Sequence, residues 1–160
     1  MRHYRPNAGI VVFRSDGKVL LCQRVEDYPK NWQFPQGGID EKETPLQAAY
    51  RELKEETSIV SVKFVASLDT PVRYDFPDEV KYKNARRGIT NDGQEQYWHL
   101  FFFEGNDKEI NLQTKEPEFK DFQWIEIEKT PDMAVEFKVE SYKIMTNAFK
   151  QKIKDYLNKC

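Results

Sequence analysis

From Thr44 to Thr57 the chain is written for a helix with two unlike faces, and the rest of the fold must provide something for each of them. Thr44 offers a capping hydroxyl, Pro45 suits a first turn, and Gln47 stands three residues after Thr44, as a capping box requires. Leu46, Ala49, Tyr50, Leu53 and Thr57 then recur with a period near 3.6, a stripe that needs an apolar surface to cover it. Glu52, Glu55 and Glu56 fall at i, i+3 and i+4, so their carboxylates project from one side of such a helix. Like charges at that spacing mildly destabilise a bare helix, whereas hard oxygen ligands on one rigid face suit Mg²⁺ or Mn²⁺. A solvated acidic face is the ordinary alternative for a charge run. Against it stands Gly37-Gly38 just upstream, where two missing Cβ atoms let a ligand approach the backbone closely.

Strand patterns surround this helix. Ala8 to Phe13 and Val19 to Arg24 read as two strands of a hairpin turning at Ser15-Asp16-Gly17, followed later by Val62 to Ser67, Gln96 to Phe103 and Phe122 to Ile125. From about Val139 onward Tyr142, Met145, Phe149, Ile153 and Tyr156 form the packing face of a C-terminal helix. Strands interrupted by helices predict an α/β fold in which a mixed β-sheet lies between helices. Pro77 to Gly93 is polar and predicts a mobile loop. With no repeat, low-complexity tract or linker, residues 1–160 are expected to form a single domain, large enough for a core that needs no staples.

A formal net charge of −2 argues against a long footprint on nucleic acid, duplex DNA included, because neutralising many phosphates needs a basic surface. It leaves room for a reader of one end, where a few cations beside a metal hold a triphosphate. Cys22 and Cys160 lack metal-ligand spacing and read as a buried thiol and a tail thiol. No signal-like segment or membrane-length apolar run is present, so a cytoplasmic protein without a membrane partner is expected. His99, inside an aromatic strand, reads as a core or face residue, and His3 offers no catalytic geometry.

Gly37, Glu43, Arg51-Glu52-Leu53, Glu55-Glu56 and Ile59 fill eight of the nine fixed positions of the pattern G-x5-E-x7-R-E-U-x-E-E-x-G-U, with U aliphatic. The segment 37–59 thus resembles the Nudix box. Ser58 stands where that pattern has Gly, at a helix C-terminus where a left-handed residue is favoured, which touches the loop geometry and not the ligands. The resemblance implies the Nudix α/β/α sandwich and Mg²⁺-dependent hydrolysis of a phosphoanhydride, with Mn²⁺ as a substitute and more than one ion bound. It implies that Glu52, Glu55 and Glu56 ligate metal and that the Gly37 carbonyl adds a ligand. Arg51, counted with Glu52 and Glu56 in the catalytic set, matches with Glu43 the pair that braces loop and helix. For the general base, Glu52, Glu56 and Glu118 all stay open.

Outside the box, Tyr4-Arg5-Pro6-Asn7, Trp32-Gln33-Phe34-Pro35-Gln36, Gly93-Gln94-x-Gln96, Pro117-Glu118-Phe119 and Phe137-Lys138 look like the bacterial RNA pyrophosphohydrolases, relatives of the dinucleoside polyphosphate hydrolases. By that resemblance Arg5 and Arg24 contact phosphates, Glu118 helps hold a metal, Phe137 stacks on a base and Lys138 assists beside it. Each has a plainer alternative: a surface arginine, an arginine paired with the acidic helix, a loop carboxylate, a core ring. The implied activity converts the 5′-triphosphate of RNA to a 5′-monophosphate, exposing the transcript to decay nucleases. The alternative substrate is a dinucleoside polyphosphate such as diadenosine tetraphosphate. A Nudix-fold binding module without catalysis is the third reading, and the three intact box glutamates weigh against it.

Overall fold

The computed structural model describes residues 3–159, so Cys160 lies outside the described residues. Its chain order opens with the strands β1 (Tyr4–Phe13), β2 (Val19–Arg24), β3 (Trp32–Gln33) and β4 (Gln36–Gly38), then the helix α1 (Pro45–Thr57). The strands β5 (Val62–Ser67) and β6 (Val72–Asp75) follow, then the helix α2 (Asp78–Ala85) and the strand β7 (Gly93–Phe103). The chain closes with β8 (Phe119–Ile125), the short α3 (Thr130–Met133) and the long α4 (Val139–Asn158). Every strand joins one eight-stranded sheet, in which β1 and β7 run parallel and the other pairings are antiparallel. The mixed sheet between helices is the architecture expected from the sequence.

Successive residues of β1 point to opposite faces, and both faces are buried. Val11 and Phe13, with Leu21, Phe34, Trp98 and Leu100, meet Tyr142, Met145, Phe149 and Ile153 of α4. Ala8, Ile10 and Val12, with Leu20, Phe101 and Phe119, meet Ala48, Ala49 and Leu53 of α1. Tyr50 departs from the expected stripe: it is largely exposed and only sets its ring edge-on to Phe101, 5.0 Å between centroids.

The local signals at the ends of α1 are realised. The Thr44 hydroxyl accepts from Gln47 N at 3.1 Å while the Gln47 side chain accepts from Thr44 N at 2.9 Å. At the other end Ser58 takes the left-handed conformation, φ 69°, that glycine favours. Its hydroxyl donates to Asn111 O at 2.9 Å, a bond glycine could not make that partly offsets the strain.

Residues 77–93 depart from the loop expectation, because they contain α2. Pro77 caps it, Asp78 and Glu79 occupy its first turn where the helix dipole favours anions, and none of its residues is buried. Without an apolar face it leaves no 3.6 period to read. β6 also went unread, being only four residues long.

β1 gives the sheet its functional feature. Beside β2 it pairs at Phe13↔Val19, but along Asn7–Gly9 that side is taken by β4. The fork sets the backbone of Gln36–Gly38 against the acidic face of α1.

Candidate active site

At the fork, Gly37 lies so close to Glu52 that a β-carbon built on it would fall inside the Glu52 carboxylate. The absence of a side chain at Gly37 is what lets α1 bring that carboxylate to the strand backbone. Glu56, one turn further along, is 6% exposed and lies beside Glu52, near the backbone N–H of Gln36. Burial pushes the Glu56 carboxyl well above the usual carboxylate range, and the negative charge of Glu52 adds to it. Burial also raises Glu52, against the pull of Arg51. Glu56, buried, and Glu52, half-buried, thus stand side by side, where two negative charges repel each other and a divalent cation would relieve the repulsion.

The three box glutamates do not share one environment. Glu55 is exposed and accepts from Arg51 Nη1 at 3.2 Å, on the outer side of the helix. Among the described residues no three acidic, His or Cys side chains converge into a metal-holding group; the oxygens that could serve a cation here are those of Glu52 and Glu56, beside the Gly37 backbone. Hard oxygens around a buried carboxylate fit a divalent cation of the Mg²⁺ type. Glu118, exposed on the loop entering β8, lies beside Arg24: its carbonyl accepts from Val25 N at 3.0 Å and the next residue, Phe119, pairs with Arg24.

Arg51 is the brace. Its Nε donates to Glu43 Oε2 at 3.0 Å, its Nη2 to the Gly38 carbonyl at 2.8 Å, and its Nη1 to Glu52 Oε1 at 2.8 Å. The guanidinium thus ties the loop, the strand and the helix with its planar fork. Its hydrogen bond is the main reason that Glu43 is held down to about 2, with the Asp40 N–H contributing.

Cations line the other side. The Arg5 guanidinium lies over Gly38, so a side chain there would collide with it. Arg24 ion-pairs with Glu26 and not with the acidic helix, while its Nη1 donates to Gln33 Oε1 at 3.3 Å and its buried Nε has no partner among the described residues. Lys138 Nζ donates to the same Gln33 oxygen at 2.9 Å. Burial, and then the charge of Arg24, pulls the Lys138 amine down to about 7. Phe137 is half-buried, its ring 5.7 Å from Tyr74 and 6.2 Å from Phe76.

Three residues that hold this arrangement had no role assigned from sequence. Gln33 bridges Arg24 and Lys138, Gln96 Nε2 donates to Asn7 at 3.0 Å and to Gln36 at 2.7 Å, and the Gln36 N–H lies near Glu56. Gln33, Gln36 and Gln96 lie inside the motifs Trp32-Gln33-Phe34-Pro35-Gln36 and Gly93-Gln94-x-Gln96, so the signal was present without its meaning. His99 is buried and stacks against Phe101, away from this chemistry.

Comparison with known proteins shows a family and a common fold. The family described as NUDIX domain matches residues 3–147. The RNA pyrophosphohydrolase of Pelagibacter ubique is 41% identical over 157 residues, covering 96% of this chain and 94% of that protein. Nudix hydrolase 26, chloroplastic, of Arabidopsis thaliana is 43% identical over 150 residues, covering 91% of this chain and 69% of its own. Among solved structures, the binary complex of a C. elegans Ap4A hydrolase superposes with a TM-score of 0.63 at 23% identity, covering 98% and 99% of the two chains, which shows the common fold.

Proposed function

The chain belongs to the NUDIX family of hydrolases, and on that premise we propose that it is a Mg²⁺-dependent RNA pyrophosphohydrolase, converting a 5′-triphosphate RNA end to a 5′-monophosphate. Relatives bearing that name match at 41% and 39% identity over more than nine-tenths of the chain, in Pelagibacter, Caulobacter and Erythrobacter, and this observation carries the choice of substrate. The carboxylate pair beside Gly37 supports the choice of chemistry.

In this reading Glu52, Glu56 and the Gly37 carbonyl hold the metal, with Glu55 and Glu118 available for further ions. When bound, a divalent cation offsets charge on the phosphate oxygens and acidifies a water. Arg5 and Arg24 hold the phosphate chain, and Lys138, next to the Gln33 bridge, adds a cation where the end enters. A carboxylate oxygen of Glu52, Glu56 or Glu118 accepts the proton of the attacking water. Arg51 keeps Glu52 and the Gly38 carbonyl in register, a positioning role.

The deciding experiment is turnover of 5′-triphosphate RNA beside diadenosine tetraphosphate, with kcat/KM measured for both in Mg²⁺. The expected result is a preference for RNA with a 5′-monophosphate product; a preference for the dinucleotide would overturn the assignment, and inertness on both would point to a binding module. Chelation with EDTA is expected to abolish turnover and added Mg²⁺ or Mn²⁺ to restore it, because the donors are carboxylate and carbonyl oxygens and offer Zn²⁺ no Cys or His. A rate that survived chelation would sink the mechanism.

For Phe137, a stacking role predicts that Phe137→Ala raises KM for triphosphate RNA roughly tenfold, as loss of a stacked base would. The melting temperature should drop by only a few degrees, since the ring is half-buried. A large thermal loss with an unaltered KM would return Phe137 to the core.

A further inference from the structure

α2 is an oddity in an otherwise well-packed molecule: an eight-residue helix, roughly 12 Å long, that buries none of its side chains. Between Val80 and Asn91 the sequence carries Lys81, Lys83, Arg86 and Arg87 and no acidic residue, on a chain whose net charge is −2. Lys81 is paired with Asp92 at 3.2 Å. Among the described residues no acidic side chain forms an ion pair with Lys83, Arg86 or Arg87. Tyr82, 67% exposed, is the most exposed large hydrophobic side chain described, and the Arg86 guanidinium sits 5.9 Å above its ring.

Its position gives this surface a direction. The strand that leads into α2 is β6, which pairs with β7 at Gly93–Gln96, and the opposite edge of those β7 residues is flanked by Tyr4–Asn7 of β1. Arg5, over Gly38, and the root of α2 therefore share one end of the sheet. Tyr4 strengthens the link by donating to Asp75 Oδ1 at 2.6 Å. Phe76, immediately before the Pro77 cap, packs on Phe137, whose neighbour Lys138 bonds Gln33 in the site. An RNA strand stacked on Phe137, in the reading proposed above, would meet Phe76 and then α2. A solvated basic face is the ordinary meaning of such a run; here it lies at the same end of the sheet as Arg5, with an aromatic ring set among its cations, the combination that grips single strands without reading sequence.

We propose that α2 binds the single-stranded RNA tract following the 5′ end, with Lys83, Arg86 and Arg87 meeting backbone phosphates and Tyr82 stacking on a base. This rests on the RNA reading above and adds to it: α2 makes the enzyme favour a transcript over a short triphosphate substrate.

The test compares the full chain with the triple variant Lys83→Ala, Arg86→Ala, Arg87→Ala on two substrates, a triphosphate RNA of about twelve nucleotides and a triphosphate dinucleotide. Since α2 buries nothing, the variant keeps its circular dichroism and melting temperature. The expected result is a fall of about tenfold in kcat/KM on the longer RNA at low salt, and a salt dependence shallower by about 2 in logarithmic slope. On the dinucleotide, kcat/KM should stay within about twofold, so the ratio of the two substrates is the readout. Tyr82→Ala should raise KM for the longer RNA several-fold and leave its salt slope alone. An unchanged ratio, whether both substrates fall together or neither falls, overturns the tract. A wild-type enzyme inert on both RNAs yet active on diadenosine tetraphosphate overturns the RNA reading and the tract with it.

Discussion

Replacing Glu56 with Gln is expected to lower turnover by about two to three orders of magnitude while leaving the protein as stable as before. Glu56 is buried beside Glu52, and burial works against its charged form. A neutral, nearly isosteric amide fills the same space without a buried charge and so adds no desolvation cost. What it lacks is the negative charge that a divalent cation draws out of the pair, and the capacity to take up a proton. Two measurements separate these effects. The variant's melting temperature in EDTA should match the wild type, whereas Mg²⁺ should raise the wild type's and leave the variant's nearly unmoved, because a ligand stabilises only the state that binds it. Glu52→Gln should lose turnover similarly and also weaken the bond from Arg51 Nη1. An active Glu56→Gln enzyme at saturating Mg²⁺ would remove the carboxylate pair from the mechanism.

Leu53→Ala is expected to do the reverse, though Leu53 directly follows Glu52. Leu53 is fully buried among the side chains that join α1 to the sheet. Truncating a buried leucine costs about 2–5 kcal/mol, the lost transfer energy plus the cavity left behind. In a domain of this size a loss near 3 kcal/mol lowers the melting temperature by roughly 6–12 °C. Well below that temperature kcat should stay within a few-fold of wild type, since the carboxylates and Arg51 keep their partners. A thermal shift of only a degree or two would mean that this face does not hold α1 to the sheet. The two substitutions test the two faces that the sequence wrote onto one helix.

Much of this protein was legible in its sequence because the information was local. The capping box at Thr44 and Gln47, the Leu53 stripe and the apolar face of α4 each rest on contacts within a few residues or on a period, and they are realised except at the exposed Tyr50. The apolar stretch from Ala8 to Phe13 read as a strand, and covering both of its faces gives the layered fold. α2 escaped for the complementary reason, as a helix without a packing face writes no period.

The site itself required the tertiary structure. Glu52, Glu55 and Glu56 are one residue type at a spacing that suggested one shared face, yet two of them are brought together against Gly37 while the third faces outward to Arg51. Their fates differ because β4 lies against one side of α1 only, a fact of strand pairing. Likewise Gln33 meets Lys138 across 105 residues, and Gln96 reaches Asn7 across 89. No local rule connects positions so far apart. The sequence by itself determined the helix, the strands and a motif rich in metal ligands; only the forked sheet decided which carboxylates become buried neighbours and which cations face them, because burial and proximity arise when distant segments pack.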